Sequence, residues 1–240
     1  MTPTASSTII HGPTKTRRFG IALVFDVTAP QTNLVVERGS VLPRASVIVT
    51  SAARRIIELS KAGEKVESIL VVGSEENPAE HPDIREITEN LRALRDKWFP
   101  RAKLILDSPT PAVSSAVAEL HMFDSVLQTF EWGSTKTFTA LTGMKGPELT
   151  ALTKQLGAYE NLVMQTRFTR GDVDNSTDAE FKGWLKRVLE ISPRSIELIT
   201  GSKAEGFKAV TKTRQQQILD ETTEKTGVSV TLTEYESLLG

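Results

Sequence analysis

The 240-residue chain contains no cysteine. Without thiols it cannot hold an iron–sulfur cluster on thiolates, build a Cys-rich zinc site, close a disulfide or use a Cys nucleophile. Long apolar runs are missing too: none approaches the roughly 20 residues that span a bilayer as a helix. Neither sign of charge is in excess, since 29 Lys+Arg stand against 30 Asp+Glu for a net charge of −1. No global basic field therefore draws nucleic acid or anionic lipid. The polar, Ser/Thr-rich residues 1–8 offer no charged n-region followed by an apolar h-region. There is no Gly-x-Gly-x-x-Gly fingerprint, no Gly-Lys-Ser/Thr phosphate loop, no Gly-x-Ser-x-Gly elbow and no Ser–His–Asp set. The three histidines, His11, His81 and His121, show no ligand spacing. These absences lead us to expect a soluble cytoplasmic protein with no membrane contact, no bound metal and no cofactor.

What is present is enough apolar material for one continuous core, 39% of residues against 25% charged. Apolar runs predict strands over residues 19–25, 66–72, 103–106, 125–130, 161–168 and 195–199, with a short terminal strand over 228–232. Between them lie amphipathic segments that predict helices over 45–62, 83–99, 111–120, 134–141, 146–156, 178–191 and 210–226. The second helix places Ile84, Ile87, Leu91, Leu94 and Trp98 on one face, and the 178–191 helix places Phe181, Trp184, Leu185, Val188 and Leu189 there. Trp98, Trp132 and Trp184 are read as packing residues. Strict alternation of strand and helix argues for a parallel sheet with helical crossovers. An open doubly wound sheet and a partial barrel of six β/α units both satisfy the pattern. The expected organisation is a single α/β domain over 1–240, with an N-terminal extension (1–18), six strand–helix units (19–200) and a C-terminal helix and tail (201–240).

In either closure, ligands meet the loops at the carboxyl ends of the strands. Those loops run over residues 26–39, 73–82, 107–110, 169–176 and 200–206. Several segments carry a family likeness. Gly12-Pro13 with Arg17-Arg18-Phe19-Gly20, then Val72-Gly73-Ser74 leading into Glu75-Glu76-Asn77-Pro78-Ala79-Glu80-His81-Pro82, and then Gln165-Thr166, Gly171, Asn175-Ser176, Glu180, Trp184, Leu189 and Ser192-Pro193 follow one another in order. In order and spacing they resemble the radical SAM superfamily, in particular the branch of the tRNA wyosine synthases. The resemblance covers roughly residues 9–200 and implies an α/β fold that is a partial (β/α)6 barrel of radical SAM type, with parallel strands and outer helices.

The departures from that family are as informative. Its first loop carries Cys-x3-Cys-x2-Cys, three thiolates for a [4Fe–4S] cluster that chelates S-adenosylmethionine. The matching stretch here, residues 31–39, is thiol-free, with Gln31, Thr32, Asn33, Glu37 and Arg38 as the degenerate cluster-loop positions. The family's Gly-Glu-Pro, which meets the amino group of S-adenosylmethionine, has become Glu75-Glu76-Asn77-Pro78, so carboxylates stand where glycine gave close backbone approach. Redox catalysis of radical SAM type is therefore not expected.

Candidate ligand-binding residues at the barrel mouth are Ser74, Glu75, Glu76, Gln165, Arg167 and Arg170. Glu75 and Glu76 suit a general acid/base pair, with solvated loop carboxylates as the plain alternative. Glu37 and Arg38 could pair in the space the cluster loop gives up, or stand as exposed loop charges. Gln165, Arg167 and Arg170 could hold an anion, with an ion pair to Asp172 or Asp174 as the rival reading. Lys15, Arg17 and Arg18 form a basic cluster that is either an RNA contact or a solvated segment, and His81 is read as stiffening its turn. The expected function is a cluster-free, non-redox binding, scaffolding or regulatory subunit with a protein partner. The alternative is an enzyme with cluster-independent chemistry that takes a nucleotide, S-adenosylmethionine or a small anion. A tRNA partner follows only from the family likeness.

Overall fold

The computed structural model describes residues 8–30, 42–109, 120–201 and 207–239. The strands are β1 (Ile10–Thr16), β2 (Gly20–Asp26), β3 (Ser68–Val72), β4 (Lys103–Ser108), β5 (Ser125–Thr129), β6 (Leu162–Thr166), β7 (Thr169–Gly171), β8 (Ser195–Thr200), β9 (Phe207–Ala209) and β10 (Ser229–Glu234). The helices are α1 (Ala45–Lys61), α2 (Ile84–Trp98), α3 (Thr135–Thr142), α4 (Gly146–Leu156), α5 (Asp178–Ile191) and α6 (Lys212–Thr226). Among the described residues, one open sheet runs β1-β2-β3-β4-β5-β6-β8-β10, and β7 pairs with β9 in a small separate sheet. The pairs β2–β3, β3–β4, β6–β8 and β8–β10 are parallel. The six strands predicted from apolar runs are β2, β3, β4, β5, β6 and β8, and the terminal strand is β10.

Three strands escape the apolar pattern. β1 lies inside the segment expected as an N-terminal extension and runs antiparallel to β2, with a register shift between His11 and Thr14 where the Gly12–Pro13 peptide is cis. Its polar, proline-containing sequence hides it. β7 and β9 are three residues each, too short for a period to register. The predicted helix at 111–120 lies outside the described residues apart from Leu120.

The chain divides into two compact units, one of Met1–Ser108, Ala118–Val126 and Glu236–Gly240, the other of Pro109–Val117 and Leu127–Tyr235. In the first, all five residues of β3 are buried, as a parallel strand covered on both faces requires. α1 buries Ile48, Ala52, Ile56 and Leu59 at steps of three and four. α2 buries Ile84, Ile87 and Leu91 as predicted, but the next buried position is Arg95 rather than Leu94 or Trp98. Its Nη1 donates to the Ala102 carbonyl (3.0 Å) and meets Asp124 Oδ2 (2.6 Å), while Nε meets Asp96 Oδ1 (2.6 Å). Asp124 also accepts the Leu104 N–H at 2.7 Å. A buried guanidinium is tolerable only when its donors are met, and here they tie α2 to the residues that open β4 and β5.

In the second unit α5 buries Phe181, Trp184, Leu185, Val188 and Ile191, leaving Leu189 52% exposed. Phe168 meets Trp184 edge-on at 5.1 Å, and Trp132 sits 5.2 Å from Phe130 and 5.1 Å from Phe138. Trp132 and Trp184 are thus packing residues, as read from the sequence. Trp98 is half-buried with Lys97 Nζ 5.3 Å from its ring. The loop after β5 is pressed onto α5 through two glycines: a Cβ on Gly133 would overlap the Glu180 carbonyl, and one on Gly183 would approach the Gly133 carbonyl at 2.7 Å.

We therefore expect Gly133→Ala to cost about 1–3 kcal/mol through overpacking. Gly157→Ala, where the nearest atom is 3.5 Å away and φ is −65°, should be neutral or stabilising by up to about 1 kcal/mol. Urea-unfolding midpoints of the two variants test the contrast.

Candidate functional site

At the carboxyl end of β2, Asp26 is 3% exposed and organises the loop that follows β3. Its Oδ1 accepts from the Thr28 N–H (3.1 Å), the Thr28 hydroxyl (3.3 Å) and the Ser74 N–H (3.1 Å). The Thr28 hydroxyl oxygen accepts in turn from the amides of Glu75 (3.1 Å) and Glu76 (3.4 Å). The backbone donors of Ser74, Glu75 and Glu76 are thus taken up inside the protein, while all three residues are exposed. Gly73 is required by this fold-back, because a Cβ there would overlap the Glu76 carbonyl and lie 2.9 Å from Thr28 Oγ1.

The rest of this loop is equally tied. Buried Asn77 donates to Ser108 Oγ (2.8 Å) and accepts the Ala79 N–H (2.9 Å), opening a single 3-10 turn at Pro78–Glu80. His81 is buried, with Nε2 3.0 Å from the Pro43 carbonyl and Nδ1 accepting the Asp83 N–H at 3.0 Å. That pairing assigns the proton to Nε2 and makes His81 the stiffener of the turn before α2. In the basic segment, the Arg17 N–H donates to both Glu236 carboxylate oxygens (3.1 and 3.2 Å), and the Arg18 guanidinium lies 4.6 Å from the Phe19 ring. Gln31, Thr32, Asn33, Glu37 and Arg38 fall outside the described residues.

The second unit gathers a different set at the ends of β5, β6 and β8. Gln165 and Glu197 face each other across the β6–β8 ladder, and Gln165 Nε2 donates to Glu197 Oε2 at 3.0 Å. Arg167 follows β6, half-buried, with its guanidinium 5.3 Å from the Tyr235 ring. Its Nε is buried and meets no hydrogen-bond acceptor among the described residues. Arg170 is exposed on β7 and donates to the Ala209 carbonyl at 3.3 Å, so it belongs to the small β7–β9 sheet. Among the described residues neither arginine pairs with Asp172 or Asp174; Asp174 instead accepts from the Ser176 amide (2.9 Å) and hydroxyl (2.7 Å).

Two further residues complete this end, and neither was a candidate from the sequence alone. Asn175 is buried; its Nδ2 donates to the carbonyls of Glu131 (2.7 Å) and Arg167 (2.8 Å), and its Oδ1 accepts the Thr169 N–H (2.7 Å). Glu131 lies just beyond β5, its carboxyl enclosed although the residue as a whole is half-buried. Burial pushes its pKa up to about 7, against the opposing pull of the Arg167 charge and a hydrogen bond from the Arg167 backbone. The signal for Glu131 is positional: it is the first acidic residue after the apolar run that ends at Phe130.

A [4Fe–4S] cluster of the kind the family likeness implies needs thiolate donors, and the chain has none. Among the described residues no group of three His, Asp or Glu could hold a metal ion in their place. The residues present do not fit that group.

The fold itself is of radical SAM type, a partial α/β barrel of mostly parallel strands with helices. It is similar to a radical SAM methyltransferase from Sphaerobacter thermophilus (13% identity, TM-score 0.59, 90% of this chain and 67% of that one). It is also similar to TYW1 with a lysine-pyruvate adduct bound (9% identity, TM-score 0.55, 85% and 73%). A domain of pyruvate-formate lyase-activating enzyme from Bacteroides vulgatus matches at 14% identity and TM-score 0.50 over 68% of this chain and 97% of that one. At such identities the likeness is one of fold. No family model matches the chain, and no curated protein matches it.

Two outcomes follow from this geometry. Thr28→Val removes the acceptor for the Glu75 and Glu76 amides and should cost about 1–3 kcal/mol, read as a lower urea midpoint with the fold's circular dichroism retained. For Glu131, the unfolded carboxyl ionises above about pH 4.5 while the folded one keeps its proton to about pH 7. Stability should therefore fall as pH rises through that window. Glu131→Gln should match the wild type below it and exceed it by up to about 3 kcal/mol above it, at about 1.4 kcal/mol per tenfold change in proton affinity. Melting curves from pH 4 to 8.5 check the divergence.

Proposed function

We propose that this chain is a cluster-free protein on a radical SAM-type fold, acting as a non-redox binding, scaffolding or regulatory subunit of a larger assembly. The observation that carries the reading is the pairing of that fold with a chain that has no thiol. Reductive cleavage of a sulfonium by this chemistry needs an electron delivered through an iron–sulfur cluster held on thiolates, and this polypeptide has none. The loop after β3 supports the same reading. Its amide donors are engaged by Asp26 and Thr28, and two carboxylates occupy the positions where the family likeness puts a Gly-Glu. Its working partner is a protein. Among the described residues no helix is long and apolar enough to cross a membrane.

A second reading rests on the other unit. Arg167 offers a buried, unmet Nε beside an enclosed carboxyl at the carboxyl ends of β5 and β6. That arrangement suits a small anion or the anionic part of a nucleotide, bound with or without cluster-independent chemistry. Within this unit its polar contacts are Arg167 and Gln165.

Anaerobic reconstitution with iron and sulfide should yield no stoichiometric charge-transfer absorption, and incubation with S-adenosylmethionine and a strong reductant should yield no 5′-deoxyadenosine. Formation of either overturns the first reading. For the second, a thermal-shift series with sulfate, acetate, AMP and S-adenosylmethionine should raise the melting temperature with at least one of them. Saturation at 100 times Kd adds about 2.7 kcal/mol. Unmoved melting with all four removes it.

A further inference from the structure

The ends of β5 and β6 are joined more firmly than two strand ends need to be. The Phe130 N–H donates to the Gln165 carbonyl (2.8 Å), and the Phe130 carbonyl accepts both the Thr166 hydroxyl (2.8 Å) and the Trp184 indole N–H (3.0 Å). One residue further on, the Asn175 carboxamide holds the carbonyls of Glu131 and Arg167 together. The consequence is that the chain leaves β5 at Glu131 and β6 at Arg167 side by side, and burial raises the Glu131 pKa while the Arg167 charge and backbone pull it down. Yet the guanidinium Nε, buried, is left without an acceptor. An unmet charged donor in a protein interior is costly, and the neighbouring carboxyl does not relieve it.

We propose that Arg167 binds a small oxyanion, a carboxylate or a phosphate-like group, through this unmet donor, and that Glu131 takes up a proton as the anion arrives. The proposal deepens the second reading above and rests on it. The physical argument is like-charge exclusion. A second negative charge next to the Arg167 guanidinium competes with ionised Glu131 for the same cation, and in an enclosed space the two anions do not coexist. Protonated, Glu131 changes from acceptor to donor, able to share its hydroxyl proton with the incoming oxygen.

The unliganded carboxyl exchanges its proton near pH 7, because burial outweighs the Arg167 charge and backbone bond. An arriving anion moves that exchange upward, so uptake is greatest just above neutrality. The other charged groups near this end are committed elsewhere. Glu197 accepts from Gln165, Glu180 accepts the Gly133 and Ser134 amides (both 3.1 Å), and Arg214 holds the Ser176 carbonyl and Asp178 (2.8 Å). None of these is the proton acceptor in this scheme.

Isothermal titration calorimetry of the whole chain at pH 7.5 tests it, with sodium sulfate and sodium acetate as separate probes, ionic strength held constant, and two buffers of different ionisation enthalpy. Neither probe titrates near this pH, so any buffer-dependent heat reports protons moving on the protein. We expect binding of at least one probe, with uptake of between half and one proton per anion. Sulfate alone would mark a phosphate-like ligand and acetate alone a carboxylate. Glu131→Gln should still bind but with no buffer dependence, and Arg167→Gln should bind at least tenfold more weakly. Arg167→Lys, which keeps the charge and lacks Nε, should also weaken binding. Binding with identical heats in the two buffers overturns the proton coupling and leaves the anion site standing. Binding by neither probe overturns both. Proton uptake that persists in Glu131→Gln assigns it to another group and overturns the proposal. The two-buffer comparison on the unaltered chain decides the central point even if a variant fails to fold.

Discussion

The Asn175 carboxamide is the interaction on which the second unit's functional end depends. Its two N–H donors and its carbonyl meet three backbone groups, on Glu131, Arg167 and Thr169, at 2.7–2.8 Å. Backbone groups buried beyond the last ladder bond of a strand must be met by something. A side chain with two donors and one acceptor in a planar fork satisfies all three at once. It therefore fixes where the chain leaves β5 and where it leaves β6. The positions of Glu131 and Arg167 follow from that constraint, and so does the environment that raises the Glu131 pKa. Aspartate in the same place would offer acceptors to two carbonyls that need donors.

The first unit solves the same problem with opposite polarity. There the unmet groups are amides, of Ser74, Glu75 and Glu76, and the solution is an acceptor pair, Asp26 backed by Thr28. Both devices are buried polar side chains at a strand end or in the loop beyond it, and both spend their capacity on backbone. They differ in what remains. In the first unit the three amides are consumed and the side chains face solvent. In the second, a charged donor on Arg167 is left over. That difference is the basis of the anion-binding proposal for the β5–β6 end, whereas the sequence pattern points to the acidic loop after β3.

The strand–helix alternation was legible because a parallel sheet buries its strands as continuous apolar runs, and a run such as Ser68–Val72 has no other reading once helices flank it. What the pattern could not reveal was polarity inside the core. Arg95 sits where the helical stripe calls for an apolar residue, and its partners explain it: Asp96 beside it, the Ala102 carbonyl, and Asp124, about thirty residues away in the chain and brought close by the fold. Leu189 looked like core and faces solvent because α5 turns Ile191 inward instead. The candidate site shows the same limit. Arg167 and Gln165 could be named from their place after an apolar run, whereas Glu131 and Asn175 acquire meaning only through contacts between loops far apart in sequence.

Loops at the strand ends of this fold keep their shape only if the chain itself supplies a source of order. Here that source is visible in both units as side chains satisfying backbone, a stabilisation that needs no bound group. The loop after β3 owes its shape to Gly73, Asp26 and Thr28, and the β5–β6 end to Asn175, Thr166 and Trp184. The fold rests on apolar strands and satisfied amides, neither of which calls for a thiol. A chain without thiols can therefore hold this shape.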